Sequence, residues 1–194
     1  LPVATAVSYV GDGVQKLLER ALGHDIRSGR TGTSGLPVSE DMLAEAMSVY
    51  ADHYGRHLLD NTRLYPGVLE TLLRFHRFPL HLATNKPRVF TDQILSGLHL
   101  GGAFRTIVAG DETPHRKPDP RHLSLCLEGL DVNPFAVVVV GDSPNDINAA
   151  RSLGAVSVGC TYGLVAPGFV KSAGPDLLLE KFSDLTDLFP SRTD

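Results

Sequence analysis

From residue 66 onward, short apolar runs alternate with stretches of helical periodicity. The runs are "PLHLAT" (79–84), "TIVAG" (106–110), "AVVVVGD" (136–142), "AVSVGC" (155–160) and "DLLLE" (176–180). Apolar runs without polar alternation suit strands covered on both faces, as in a parallel sheet. Helical patterns over 67–76, 87–97, 120–130 and 145–153 lie between them, so the pattern predicts βα units and a doubly wound α/β fold. Pro87 and Pro120 each suit a first helical position, and Gly154 falls where a C-terminal cap is needed.

Residues 1–62 show no strand repeat. They hold two amphipathic stretches, "GVQKLLERALG" and "SEDMLAEAMSVYADHYGRHLLD". In the second, Leu43, Ala46, Met47, Tyr50, Tyr54, His57 and Leu58 recur at helical spacing and predict one apolar face. The intervening "GHDIRSGRTGTSGLP" reads as a mobile loop because Gly, Ser and Thr dominate it. The division is therefore a helical unit, 1–62, joined to an α/β unit, 63–194.

Composition narrows the function. A net charge of −4 and no Lys/Arg block give no patch for nucleic acid or an anionic membrane. No apolar run approaches the ~20 residues of a membrane span, and the front lacks a secretory pattern. Cys126 and Cys160 form no C-x-x-C pair, which suits small buried hydrophobes in a reducing cytoplasm. A soluble protein acting on a small molecule is expected.

Chemistry concentrates at the ends of three predicted strands, where open α/β sheets hold their ligands. Asp142 ends the most apolar run. Ser143, Pro144 and Asp146 read as N-cap, first and third residues of a helix, so Asp146 has a capping role available. Two carboxylates at one strand end also suit a hard cation such as Mg²⁺. Thr84 and Asn85, before Pro87, offer a hydroxyl and an amide for a phosphoryl oxygen, though taken alone such a pair is more often capping than catalysis. Lys117 precedes Pro118, whose ring restricts it. His53 and His57 stand four apart without a third ligand and read as surface or packing residues. His115 lies two before Lys117 and receives no role. "GDGVQK" lacks the third glycine of a dinucleotide fingerprint, and "GRTGTSG" lacks the Gly-Lys-Ser/Thr of a P-loop.

"ATNKP", "GDETPHRKPDP" and "VVVVGDSPNDINAARSLG" resemble the second, third and fourth signature motifs of the haloacid dehalogenase superfamily, which is largely phosphatases. "VGDGVQKLLERALG" resembles the cap of its phosphoglycolate phosphatase branch, as does the whole "GDETPHRKPDP" phrase. The similarity covers residues 7–190. It implies an Mg²⁺-dependent phosphomonoester hydrolase with a helical cap on a Rossmann-like core, acting on a small phosphorylated metabolite, 2-phosphoglycolate first among them. Thr84 would bind the transferring phosphoryl group beside Asn85, and Lys117 would neutralise its charge. Asp142 would ligate the metal, with Asp146 supporting it directly or through water. Gly11, Asp12 and Gly13 would form a cap loop facing the substrate.

The superfamily's first motif, D-x-D-G-T, is absent from the sequence, and the chain starts at Leu1. The resemblance implies that this motif supplies the nucleophile that becomes an aspartyl-phosphate, on a central strand preceding Leu1. A polypeptide of these residues alone is then expected to fold poorly and not to turn over phosphate esters, because two strands would carry unpaired backbone groups. The same core also serves other phosphatases, pyrophosphatases and phosphoglucomutases. From a different class, a non-catalytic scaffold that has lost its nucleophile fits the same residues. An in-frame D-x-D-G-T upstream of Leu1 separates the two.

Overall fold

The computed structural model describes residues 1–27 and 37–190. Its first part is helical: α1 (Val3–Val7), α2 (Val14–Arg27) and α3 (Glu40–His57). The Ser39 hydroxyl caps α3 by accepting from Met42 N at 3.2 Å, and Glu40 and Asp41 lie in its positive first turn. Leu43, Ala46, Met47, Tyr50 and Tyr54 form the half-buried side of α3, and Leu58 is buried beyond its end. His57 departs from the expected apolar face: it is exposed and pairs with Asp60 at 2.7 Å. Helix α2 runs to Arg27, so the predicted loop over 23–37 is helical in its first residues. Residues 28–36 of that loop lie outside the described residues.

The remainder alternates strands and helices: α4 (Val68–Arg74), β1 (His81–Ala83), α5 (Arg88–Gly97), β2 (Thr106–Val108), α6 (Pro120–Ser124), β3 (Val138–Gly141), α7 (Pro144–Leu153), β4 (Val156–Cys160), α8 (Pro167–Ser172), β5 (Leu177–Leu179) and α9 (Leu185–Leu188). All five predicted strands form, and every pairing is parallel. They make a two-stranded sheet, β1-β2, and a three-stranded sheet, β3-β4-β5. β1 and β3 therefore each keep one edge without a strand partner among the described residues.

Helix ends differ from expectation in two places. Pro87 is the N-cap of α5 rather than its first residue. The helix predicted over 120–130 stops at Ser124, tightens into a 3₁₀ turn over Leu125–Leu127, and is ended by Gly129 at φ +74°; apolar periodicity continues through that turn and hides the break. Gly154 caps α7 in the left-handed region at φ +83°, as the sequence predicts.

The core sits on β4. Val158 and Leu179 are fully buried with Cys160 and Leu185, and Phe75, Val140 and Tyr162 pack around them. On the other side, fully buried Ile147, Ala149 and Ala150 lay α7 against β3 and β4. Small side chains there let the helix approach closely, which brings its N-terminus to the tip of β3. Both cysteines are free and buried. Burial pushes the Cys126 thiol up to about 11, so it behaves as a small hydrophobe rather than a nucleophile.

His81 on β1 has both ring nitrogens covered and without hydrogen-bond partners among the described residues. Burial, and then the charge of Arg105, hold its pKa below the ordinary 6.5. As pH falls through that value the unfolded chain takes up the proton first, so stability present above it is lost until the folded-state pKa is passed. The His81→Leu variant should lose less melting temperature than the parent between about pH 7.5 and pH 5. Equal losses in the two proteins would contradict this role.

Candidate active site

The carboxyl ends of β1 and β3 are joined by one side chain. Lys117, on the loop after β2, places Nζ 2.6 Å from Ala83 O at the tip of β1 and 2.7 Å from Asp146 Oδ1. The two charged side chains are only 13% and 10% exposed, so this pair sits largely out of water. Asp146 Oδ2 accepts from Ser143 N at 3.1 Å and Ser143 Oγ at 2.7 Å. Asp146 therefore closes the capping box of α7, as one of its sequence readings has it, and also holds the lysine, which neither reading foresaw. It lies directly over Gly141, where a Cβ would overlap its own Cβ and Cγ.

Asp142, the first residue after β3, turns toward the segment after β4. Its Oδ2 accepts from Leu164 N at 2.7 Å, and Gly163 leaves the space its carboxylate occupies. Its other oxygen has no hydrogen-bond partner among the described residues. Thr84 continues β1 by donating its N–H to Val108 O, and its hydroxyl accepts from Lys86 N at 3.1 Å.

Asn85 is a junction. Its Oδ1 accepts from Lys117 N at 3.0 Å, while Nδ2 donates to Lys117 O and to Gly11 O, both at 2.9 Å. Both amide protons are thus committed to backbone carbonyls, and the side chain fixes the Lys117 loop against the helical part. The Gly11–Asp12–Gly13 loop meets the same place from the other side. Asn145 Nδ2 donates to Asp12 Oδ1 at 2.7 Å and approaches Gly11 O at 3.4 Å. Burial alone would raise the Asp12 carboxyl, but the Asn145 hydrogen bond and Arg20 outweigh it and hold the pKa below the usual value. The structure therefore gathers Thr84, Asn85, Lys117, Asp142, Asp146 and the 11–13 loop around one pair of strand tips.

Several neighbours were missed from sequence. Asn145 stands between the two acids on the first turn of α7, a position whose direction the helix start could have signalled. Lys86 Nζ reaches Tyr54 OH on α3 at 2.6 Å and lies 4.7 Å from that ring's centroid. Tyr54 stacks on Tyr50 and meets Phe90 edge-on, which fixes α3 against α5. His115 sits 3.4 Å from Asp119, beside the start of α6. His53 and His57 are exposed with ring centroids 4.6 Å apart. Among the described residues, no group of three or more His, Cys, Asp and Glu could hold a metal ion.

The donor set still fits Mg²⁺ in part, because that ion is content with one or two carboxylates, waters and phosphate oxygens. Asp142 supplies a free oxygen for it. Asp146 has both oxygens engaged, and fits as a partner to a metal-bound water rather than in place of its bond to Lys117.

A lysine and two acids at the carboxyl ends of parallel strands, beneath a helical segment, define an α/β protein whose site suits an anion and a hard cation. The chain belongs to the haloacid dehalogenase-like hydrolase family, whose model matches residues 25–160. It is 34% identical over 198 residues to a phosphoglycolate phosphatase of Escherichia coli (strain K12), across 95% of this chain and 79% of that protein. Its identity to the phosphoglycolate phosphatase of Salmonella typhi is 35% over the same span. Among solved structures, a predicted phosphoglycolate phosphatase from Haemophilus somnus 129PT superposes with a TM-score of 0.85 at 28% identity, covering 94% of this chain and 80% of that one. A β-phosphoglucomutase from Clostridium difficile shares the fold, with a TM-score of 0.73 at 19% identity, over 95% of this chain and 78% of that one. The doubly wound parallel architecture with its helical segment is that of the family.

Proposed function

We propose that this chain forms the cap, residues 1–62, and most of the core, residues 63–194, of an Mg²⁺-dependent phosphomonoester hydrolase acting on 2-phosphoglycolate or a close analogue. One observation carries the reading: Lys117 Nζ bridges the tips of two sheets, from Ala83 O to Asp146 Oδ1, and Asp142 directly follows the last residue of β3. The phosphoglycolate phosphatases that match most of the chain support it.

Phosphoryl transfer is chiefly a matter of positioning and charge neutralisation. Lys117 contributes the fixed positive charge for the phosphoryl oxygens, and its bonds to Ala83 and Asp146 keep it from reorienting as charge develops. The Thr84 hydroxyl donates to a phosphoryl oxygen at the tip of β1 while its lone pair remains with Lys86 N. Asn85 positions Lys117 through both of its backbone groups. Asp142 would hold Mg²⁺, which would supply further charge neutralisation. Asn85 and Asn145 hold the 11–13 loop against the strand tips, a placement in which the loop would limit the access of water to the reacting phosphate.

The nucleophile in this reading is an aspartate on a strand that precedes Leu1 and enters between the unpartnered edges of β1 and β3. Its carboxylate attacks phosphorus as the ester P–O bond breaks, and the glycolate oxygen leaves with a proton from the second aspartate of the D-x-D-G-T motif. Water, giving a proton back to that aspartate, then cleaves the aspartyl-phosphate and releases phosphate. The experiment compares residues 1–194 alone with the full-length polypeptide that carries them. Phosphate release from 2-phosphoglycolate is expected from the longer protein only, and adding the upstream segment should raise the melting temperature. Equal turnover by the two would overturn the assignment of the nucleophile. Binding of 2-phosphoglycolate with no turnover by either would favour the scaffold reading instead.

A further inference from the structure

Arg116 immediately precedes the site lysine but has different partners. Its Nε donates to Gly110 O at 2.6 Å. Gly110 in turn lies against the Asn85 backbone so closely that a Cβ there would overlap Asn85 O. On the opposite side of the guanidinium, a Cβ built on Gly13 would stand 3.1 Å from Arg116 Nη1 and 3.7 Å from Asn85 O. The group therefore occupies the seam between the 11–13 loop and the strand tips, and Gly13 leaves room for it.

The remaining nitrogens are free. Arg20, Arg56, Arg88 and Arg121 each pair with a carboxylate. Among the described residues no carboxylate pairs with Arg116, and Nε is the one nitrogen of its guanidinium with a hydrogen-bond acceptor. The nearest acid of the seam, Asp12, is already committed to Arg20 and Asn145. A guanidinium tethered through Nε and presenting its two terminal nitrogens is a preorganised fork for a planar anion. Lys117, one residue on and joined to the same Asn85, faces the phosphoryl position. The two neighbouring cations thus have different partners: Lys117 joins the strand tips, and Arg116 lies in the seam between the 11–13 loop and Gly110.

We infer that Arg116 is the specificity-determining residue of this hydrolase, receiving a carboxylate carried by the leaving group. The inference rests on the phosphomonoesterase reading above and deepens it: the substrate class becomes short phosphomonoesters with a carboxylate close to the ester oxygen. An uncharged leaving group leaves the fork unused. A lysine at this position keeps the charge but loses the two-pronged geometry.

The test compares 2-phosphoglycolate with ethyl phosphate, which has the same backbone length and no carboxylate, using the full-length polypeptide with Mg²⁺. In Arg116→Ala the ratio of kcat/KM for 2-phosphoglycolate over ethyl phosphate should fall roughly 10- to 100-fold, with KM for 2-phosphoglycolate carrying the change. Arg116→Lys should recover part of that ratio, and its melting temperature should match the parent's, which keeps the result independent of any folding defect in the alanine variant. A ratio unchanged in both variants would overturn the inference while leaving the phosphatase reading intact. A parent protein that hydrolyses neither ester would overturn the phosphatase reading, and this inference with it.

Discussion

Replacing Lys117 by methionine is expected to destabilise the protein by about 3–5 kcal/mol, because it leaves the Asp146 carboxylate buried without its counter-charge. The side chain of Asp146 is only 10% exposed, so water cannot take the lysine's place without opening the site. The aliphatic stem of Lys117 is retained in methionine, so lost packing contributes little. Combining Lys117→Met with Asp146→Asn should restore much of the stability, since the amide no longer demands a cation. Activity should not return in the double variant, because the positive charge beside the phosphoryl position is still missing. Chemical denaturation of the four proteins of this cycle measures the coupling directly. Independent, additive losses would show that the pair is held apart by solvent, contrary to the geometry.

The second large effect concerns two glycines that make room for the acids. A methyl group on Gly141 would overlap Cβ and Cγ of Asp146, and one on Gly163 would overlap the Asp142 side chain. Each obstacle is the root or head of a side chain already held by hydrogen bonds to Ser143 and Lys117, or to Leu164. Relief therefore requires moving the acid itself. Gly141→Ala and Gly163→Ala are each expected to cost about 1–3 kcal/mol of stability through overpacking. They should lower kcat by about 100-fold or more, since a displacement near 1 Å spoils the site's alignment. Gly101→Ala is the control, because nothing lies within 4 Å of its added Cβ. Parent-like kcat in both variants would mean that the acids need not stand where they are found.

The strands were legible because "VVVV" and "SVGC" leave no polar alternation to confuse the period, although burial on both faces holds for β4 and not for β3, whose Val138 is exposed. The αβ order was legible for the same reason. The break after Ser124 was not, since the 3₁₀ turn over Leu125–Leu127 continues the apolar pattern without a proline to mark it. His57 carried two readings, a place on the apolar face by helical spacing and a surface or packing role, and the exposed pairing with Asp60 decides for the surface.

In the site, spacing and strand-end position singled out Thr84, Asn85, Lys117, Asp142 and Asp146, whereas Gly11–Gly13 came from the family resemblance. Their contacts were beyond either source: the bond from Asn85 to Gly11 O spans 74 residues, and the bond from Asn145 to Asp12 spans 133. Periodicity reports which face a residue occupies within its own element; it carries no information about which element arrives opposite. Asn85 shows the consequence. Its amide reads as a phosphate donor from sequence, yet in the structure both protons join the Lys117 loop to the helical segment.

In the function proposed above, the cation and acids at the tips of β1 and β3 carry out Mg²⁺-dependent phosphomonoester hydrolysis. The most direct measurement is the initial rate of phosphate release from 2-phosphoglycolate by the full-length polypeptide, with Mg²⁺, with a chelator, and in the Asp142→Asn variant. Turnover is expected that the chelator abolishes, that added Mg²⁺ restores, and that Asp142→Asn reduces by about 100-fold or more at saturating substrate. Turnover indifferent to both the chelator and the loss of the Asp142 carboxylate would contradict it.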